Sequence, residues 1–256
     1  MKLIDCVNKE YEDVKQNIVL EPPIYENKKF FEEILFSPTI LGAETYSESE
    51  TEEISQKYQN IFHQTPWTPE DIFLLCEKIK EEKRAYYFLS FGIILTRLIN
   101  THHLLTGHKD YLLKTEDSET KLPNLCYENN GANVTIYGPV GNNCCKKMRA
   151  GTVQIVGDCT GSLCAYMKGG IVSVKGDCKG NIGTDMKNGI IDITGNAKHE
   201  VGTNMSGGMI VLSGDAFYVG EMTRGVIHVN GTIHNLHRSS MQGGYIYNRR
   251  KRVDPK

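Results

Sequence analysis

One period runs through three separate residue series in the second half of this chain. Gly138, Gly157, Gly176, Gly195 and Gly214 recur at every nineteenth position, and Gly231 follows two positions early. Met148, Met167, Met186, Met205, Met222 and Met241 keep the same spacings. So do Gly151, Gly170, Gly189, Gly208, Gly225 and Gly244. All three series shorten in the same place, which one two-residue deletion explains. A period of this length marks a stacked array in which no unit buries its own apolar face alone.

The local pattern inside each unit is that of a strand. One apolar column reads Val134, Val153, Val172, Ile191, Ile210, Ile227 and Ile246. Two positions on stand Ile136, Ile155, Val174, Ile193, Leu212 and Val229. Thr135, Gln154, Ser173, Asp192, Val211 and His228 lie between them. Period-two alternation of β-branched residues predicts a half-buried strand. One such strand per unit is too little for a propeller blade and fits a solenoid coil paired in parallel with the next. Coils stacked ~4.8 Å apart place six of them in a rod of roughly 29 Å, with like residues in ladders. The first glycine series reads as corners that need positive φ or close approach. Asp158, Asp177, Asn196 and Asp215, each after such a glycine, read as Asx-turn formers.

The stretch GDCKGNIGTDMKNGIIDITGNAKHEVGTNMSGGMIVLSGDAFYVGEMTRGVIHVNG, within residues 134–247, resembles the GXGXG β-helix family. That domain occurs at the C-terminus of the glutamate synthase large subunit and in a subunit of formylmethanofuran dehydrogenase. Gly176-Asp177-Cys178, Ile182-Gly183, Met186 and Gly189 carry the likeness, and Gly195-Asn196-Ala197, Val201-Gly202, Met205 and Gly207-Gly208 repeat it. The resemblance implies a right-handed parallel β-helix, to which the period adds one strand per coil and six to seven coils. It also implies a structural role, packing against catalytic domains or subunits, with no cofactor and no catalytic residue to carry over. Cys145 and Cys164 depart from the pattern, standing where later coils have Gly183 and Gly202.

Residues 1–125 read as a mostly helical domain and a possible cap of the solenoid, in an α+β multidomain chain. The β-helix is assigned to 126–248 and a basic tail to 249–256. A short helix is expected over 28–36 and a solvated acidic loop over 44–53. A helix starts after Thr68, with Pro69 at its first position and Glu70 and Asp71 at the positive end of its dipole. A second covers Arg84–Leu105, and residues 106–130 read as a polar linker. Residues 1–130 carry 23 acidic and 14 basic side chains, net −9, whereas 131–256 carry 8 and 15, net +7. Such a split points to two units that attract each other or different partners. The N-terminus has no apolar signal segment, and Tyr86–Ile99 is short and contains Arg97. A cytoplasmic protein with reduced thiols is therefore expected.

Each side chain with chemistry has a plain reading beside it. Cys159 with Cys178, and Cys145 with Cys164, stack one coil apart and are candidates for a soft metal or, against the usual geometry of parallel neighbours, a disulfide, or else small interior residues. His228, His234 and His237 gather in the last coils, as candidates for catalysis or as solvated side chains. Asp158 and Asp177 are candidate acids or bases, or turn formers. Arg249, Arg250, Lys251 and Arg252 point to a polyanion or nucleic acid, or to a solvated tail. No cofactor motif or phosphate loop occurs. The leading expectation is a non-catalytic scaffold binding a partner subunit or itself. The alternatives are an enzyme with its site between the helices and the β-helix, and a polyanion-binding module.

Overall fold

The computed structural model describes residues 68–80, 87–116, 121–237 and 241–253, all within one compact unit, Pro38–Lys256. The expected short helix over 28–36 and the acidic loop over 44–53 lie outside the described residues. Among the described residues two helices, α1 (Pro69–Lys80) and α2 (Tyr87–Thr106), precede twelve strands. These are β1 (Asp110–Lys114), β2 (Asn130–Tyr137), β3 (Ala150–Val156), β4 (Ile171–Val174), β5 (Ile190–Ile193) and β6 (Ala197–Val201). They continue as β7 (Ser206–Leu212), β8 (Ala216–Gly220), β9 (Arg224–Val229), β10 (Ile233–His237), β11 (Tyr245–Asn248) and β12 (Lys251–Arg252). The result is a parallel β-solenoid of about seven turns.

The long sheet runs β1-β2-β3-β4-β5-β7-β9-β11-β12, parallel throughout except for β12. Its register is the sequence period itself: Val134 pairs Val153, then Val172, Ile191 and Ile210, and after the short coil Ile227 and Ile246. Every member of that column is buried, as is the Ile136–Val229 column. Met148, Met167, Met186, Met205 and Met222 form a third interior ladder, while Met241 is half-buried. A Cβ on Gly170, Gly189, Gly208, Gly225 or Gly244 would stand 2.5–2.7 Å from the methyl of the preceding coil's methionine. Each of these glycines also has positive φ, between 87° and 107°. The methionine series and the second glycine series are therefore two halves of one contact, which is why they keep step.

The first glycine series packs backbone on backbone. A Cβ on Gly157, Gly176, Gly195, Gly214 or Gly231 would overlap the carbonyl oxygen of the glycine one coil before.

Three departures from the sequence reading have physical causes. A second sheet exists, ordered β10-β8-β6, so the later coils carry two strands rather than one. Earlier coils hold only isolated bridges there, Val140–Cys159–Cys178–Ala197 and Cys144–Leu163–Ile182–Val201. Gly161 and Gly180 interrupt those coils, and glycine weakens a strand; His199 takes their place in β6. The short coil is not one deletion. Ala197 pairs Ala216, a full period on, but Val201 pairs Val219, one position short of it, across a register shift. The second residue is lost at the following corner, where Gly202-Thr203-Asn204-Met205 becomes Gly220-Glu221-Met222.

Third, the segment expected as a polar linker forms the first coil. β1 pairs in parallel with β2, Tyr111 opposite Val134 and Leu113 opposite Ile136, both inward and buried. Asp110 lies opposite Asn133, an offset longer than the repeat, so the period does not reveal it. Buried Asn129 takes the place of a ladder methionine and donates to the Ala132 and Ala150 carbonyls.

The helix start at Thr68 closes as a reciprocal cap. Thr68 Oγ1 accepts from the Asp71 amide at 3.1 Å, and Asp71 Oδ2 accepts from the Thr68 amide at 2.9 Å. α1 packs against β1 and α2 against β2. Gly92 allows α2 to approach this closely, since a Cβ there would overlap the Pro123–Leu125 backbone. Arg97 pairs with Glu128 at 3.1 Å, and Asn100 bonds both the Glu128 carbonyl and the Asn130 amide. No described helix is long and apolar enough to cross a membrane.

At the other end the basic residues fold back as a hairpin rather than trailing as a solvated tail. β12 pairs antiparallel with β11 across a two-residue turn, Arg249-Arg250, with φ of 48° and 66°. Positive φ at both positions is the geometry that favours Asn-Gly.

Two outcomes follow. Gly176→Ala should cost about 2–3 kcal/mol by chemical denaturation, because the clash is with backbone that cannot turn aside. The pair Arg249→Asn with Arg250→Gly should stabilise the chain by about 1 kcal/mol, read as a raised midpoint in the same measurement.

Candidate functional site

The acidic row stitches coil to coil. Asp158 Oδ1 accepts from the Asp177 amide at 3.0 Å, and Asp177 Oδ1 from the Asn196 amide at 2.8 Å. Asn196 Oδ1 accepts from the Asp215 amide at 2.9 Å, and Asp215 Oδ1 from the Thr232 amide at 2.7 Å. These bonds reach the next coil instead of closing a turn within their own. The second oxygens face Lys179 (3.5 Å), Lys198 (3.9 Å) and His234 (3.9 Å), again one coil on. These are exposed pairs, worth ~0–1 kcal/mol each. In the candidate acids Asp158 and Asp177, one oxygen thus bonds the next coil's backbone and the other faces a lysine.

The cysteines are interior. Cys159 and Cys178 sit in the ladder Val140, Cys159, Cys178, Ala197, Ala216. Contact with Cys159, then burial, pushes the Cys178 thiol far above its ordinary range. Cys145 and Cys164 occupy a corner with φ of 56° and 57°, where Gly183 and Gly202 follow at 66° and 78°. Left-handed backbone explains why glycine stands there in later coils. Cys126 extends the row at φ 58°. Its place one full period before Cys145 is the sequence signal that marks it. Contacts with the Cys126, Cys144 and Cys164 thiols, then burial, raise the Cys145 thiol well above the usual range. Among the described residues no three His, Cys, Asp or Glu side chains converge as a metal site.

The three candidate histidines are divided between two sheets. His228, on β9, stacks on Tyr247 with centroids 4.7 Å apart. His234 and His237 lie on β10: His234 leans on Phe217, and His237 Nδ1 meets Glu221 Oε1 at 3.2 Å beside Tyr218. Glu200, Thr203 and Glu221 line the cleft at His237, whose volume is only about 10 Å³. In the long sheet β9 is five strands from β2, the strand against which α2 packs, roughly 24 Å at ~4.8 Å per step. Three other histidines do gather near the helices. His102 Nδ1 lies 2.8 Å from the Tyr111 hydroxyl, His108 packs edge-on to both rings, and His103 Nδ1 is 2.7 Å from the His108 carbonyl. Burial, then the His108 charge, lowers the His102 pKa.

A different surface stands out, and sequence reading passes over it. Ile171, Ile190, Met209, Val226 and Tyr245 pair in register along the long sheet, following Thr152. They stand in the outward phase, one position before the buried column. Ile171, Ile190, Met209 and Tyr245 are 36–47% exposed. Lys168 and Lys187, exposed, lie on the preceding corner, where Arg149 instead pairs with Glu128. The row ends in a cleft of about 520 Å³ lined by Arg224, Gln242, Gly243, Tyr245 and Arg252. There the Arg252 guanidinium lies over the Tyr245 ring at 4.6 Å. The sequence signal for this row is an apolar residue directly before the strand column, out of phase with the alternation. The chain matches no family model and no curated protein.

The left-handed corner makes a clean prediction. Cys164→Gly and Cys164→Ala remove the same thiol, but only glycine relieves the backbone. Denaturation midpoints should place the glycine variant about 1 kcal/mol above the alanine one. Equal stability would show that backbone strain does not select glycine in this row.

Proposed function

We propose that this protein is a non-catalytic scaffold whose coil stack docks a partner subunit or a second copy through the long sheet. The observation that carries this reading is the row Ile171, Ile190, Met209 and Tyr245, aligned in register and exposed. A contiguous apolar stripe on an outer face is a binding surface more often than a solvent face. The interior supports the same reading. Its repeated side chains are spent on ladders, its candidate acids brace neighbouring coils, and its thiols are buried. The likeness to the GXGXG β-helix domains of glutamate synthase and formylmethanofuran dehydrogenase agrees, since those domains serve as structural members of larger enzymes. On this reading the protein holds no cofactor and works in the cytoplasm.

One observation favours a second reading, acid–base chemistry at the His237–Glu221 pair beside Tyr218. The cleft there has no room for a substrate unless a partner completes it.

The test uses the row's own variation. Thr152 occupies it one coil earlier, so Ile171→Thr with Ile190→Thr keeps the strand-forming character. Purified under native conditions from cells that normally express it, the wild type should carry a stoichiometric partner or a second copy. The double variant should lose it with an unchanged circular dichroism spectrum. A wild type that runs alone as a monomer would overturn the scaffold reading.

A further inference from the structure

The geometry of the exposed row points to one kind of occupant. From Ile171 to Tyr245 it takes four coil-to-coil steps, about 19 Å at ~4.8 Å each. An α-helix repeats every ~5.4 Å, so a helix laid along the row presents one side chain per turn to each rung, drifting ~2.4 Å over the whole length. An extended strand repeats its facing side chains every ~6.8 Å and falls out of step within two rungs. A helix of about 13 residues therefore spans the row.

The charge beside the row selects the helix further. Lys168 and Lys187 stand exposed on the corner along one flank. Arg224 and Arg252 line the cleft at the far end. Asp192 is the acidic member of the neighbouring outward row, among Gln154, Ser173, Val211, His228 and Tyr247. The border is thus mainly basic, and complementary charge sets partner choice and register. The chain already accepts helices at its first coil, where α1 packs against β1 and α2 against β2.

We propose that the Ile171–Tyr245 row seats an acidic amphipathic helix of a partner protein, its apolar stripe on the row and its carboxylates toward Lys168, Lys187, Arg224 and Arg252. This deepens the scaffold reading and rests on it. The occupant recognised is a helix of one charge sign, not a second copy.

The test titrates the full chain against three labelled synthetic peptides of about 14 residues, read by fluorescence anisotropy. One has leucine once per turn with glutamate beside it, one has the same composition scrambled, and one has lysine in place of glutamate. The acidic amphipathic peptide should bind about tenfold or more tightly than either control, and more weakly as salt rises. Ile171→Thr with Ile190→Thr should weaken it about tenfold, and so should Lys168→Glu with Lys187→Glu. Binding of the scrambled acidic peptide with equal strength would overturn the proposal in favour of a general polyanion site. So would indifference to the Ile171 and Ile190 changes. A dimer in sedimentation, lost in the Ile171→Thr, Ile190→Thr variant, would make the occupant a second copy: the proposal fails and the scaffold reading survives. If the wild type has no native partner at all, the scaffold reading itself fails.

Discussion

Parallel backbone pairing at one coil per step is the constraint on which the structure depends. Each edge of a coil is filled by the hydrogen-bonding groups of the next, so the period of the chain becomes the register of the sheet. Once Val134 pairs Val153 and Val153 pairs Val172, the same geometry is imposed on every other position of the coil. A residue then meets its own counterpart above and below, and each row must be filled by a side chain that tolerates its own copy. Aliphatic residues, methionine and glycine satisfy this in the interior. On the surface, the Asp158 and Asp177 carboxylates each face a lysine of the next coil, Lys179 and Lys198, and Asn196 separates Asp177 from Asp215.

The corners show how closely side chain and backbone are coupled. Methionine from one coil reaches the positive-φ glycine of the next, so a side chain on that glycine would displace the methionine methyl. The left-handed corner is looser. Glycine holds it at Gly183 and Gly202, yet Cys126, Cys145 and Cys164 hold the same backbone in the earlier coils. Strain of that kind persists only where surrounding contacts over-determine it. Buried thiol contacts at 3.7 Å between Cys144 and Cys145 are part of that surrounding. Cysteine here is a small, dense interior residue in a difficult conformation.

Among the described residues, the chain's own elements pack at each end of the long sheet. At the first coil, α2 supplies Arg97 and Asn100 to the corner that includes Glu128 and Asn130, while Gly92 removes the steric barrier to close approach. At the last, β12 folds antiparallel on β11 across a two-residue turn, so the sheet ends in a short, basic strand. An uncovered edge is a template for unwanted pairing. The outer face of the long sheet holds the exposed apolar row.

The interior was legible from the sequence because a ladder writes itself as a period. The Val134 and Ile136 columns, the methionines and both glycine series were readable by counting, and so was the capped start of α1 at Thr68. Features that break the period could be found only in three dimensions. β1 stands further from β2 along the chain than one repeat, so counting by the period never reaches it. The short coil loses one residue in β8 and one at Glu221, a division that only pairing partners reveal. The split of His228 from His234 and His237 likewise depended on which sheet each strand joined. The apolar row at Ile171 and Ile190 was hidden for a simpler reason. The alternation places Ile171 and Ile190 outward, but only the paired strands show that they line up with Met209 and Tyr245 and stay exposed, because exposure depends on neighbours brought in by the fold.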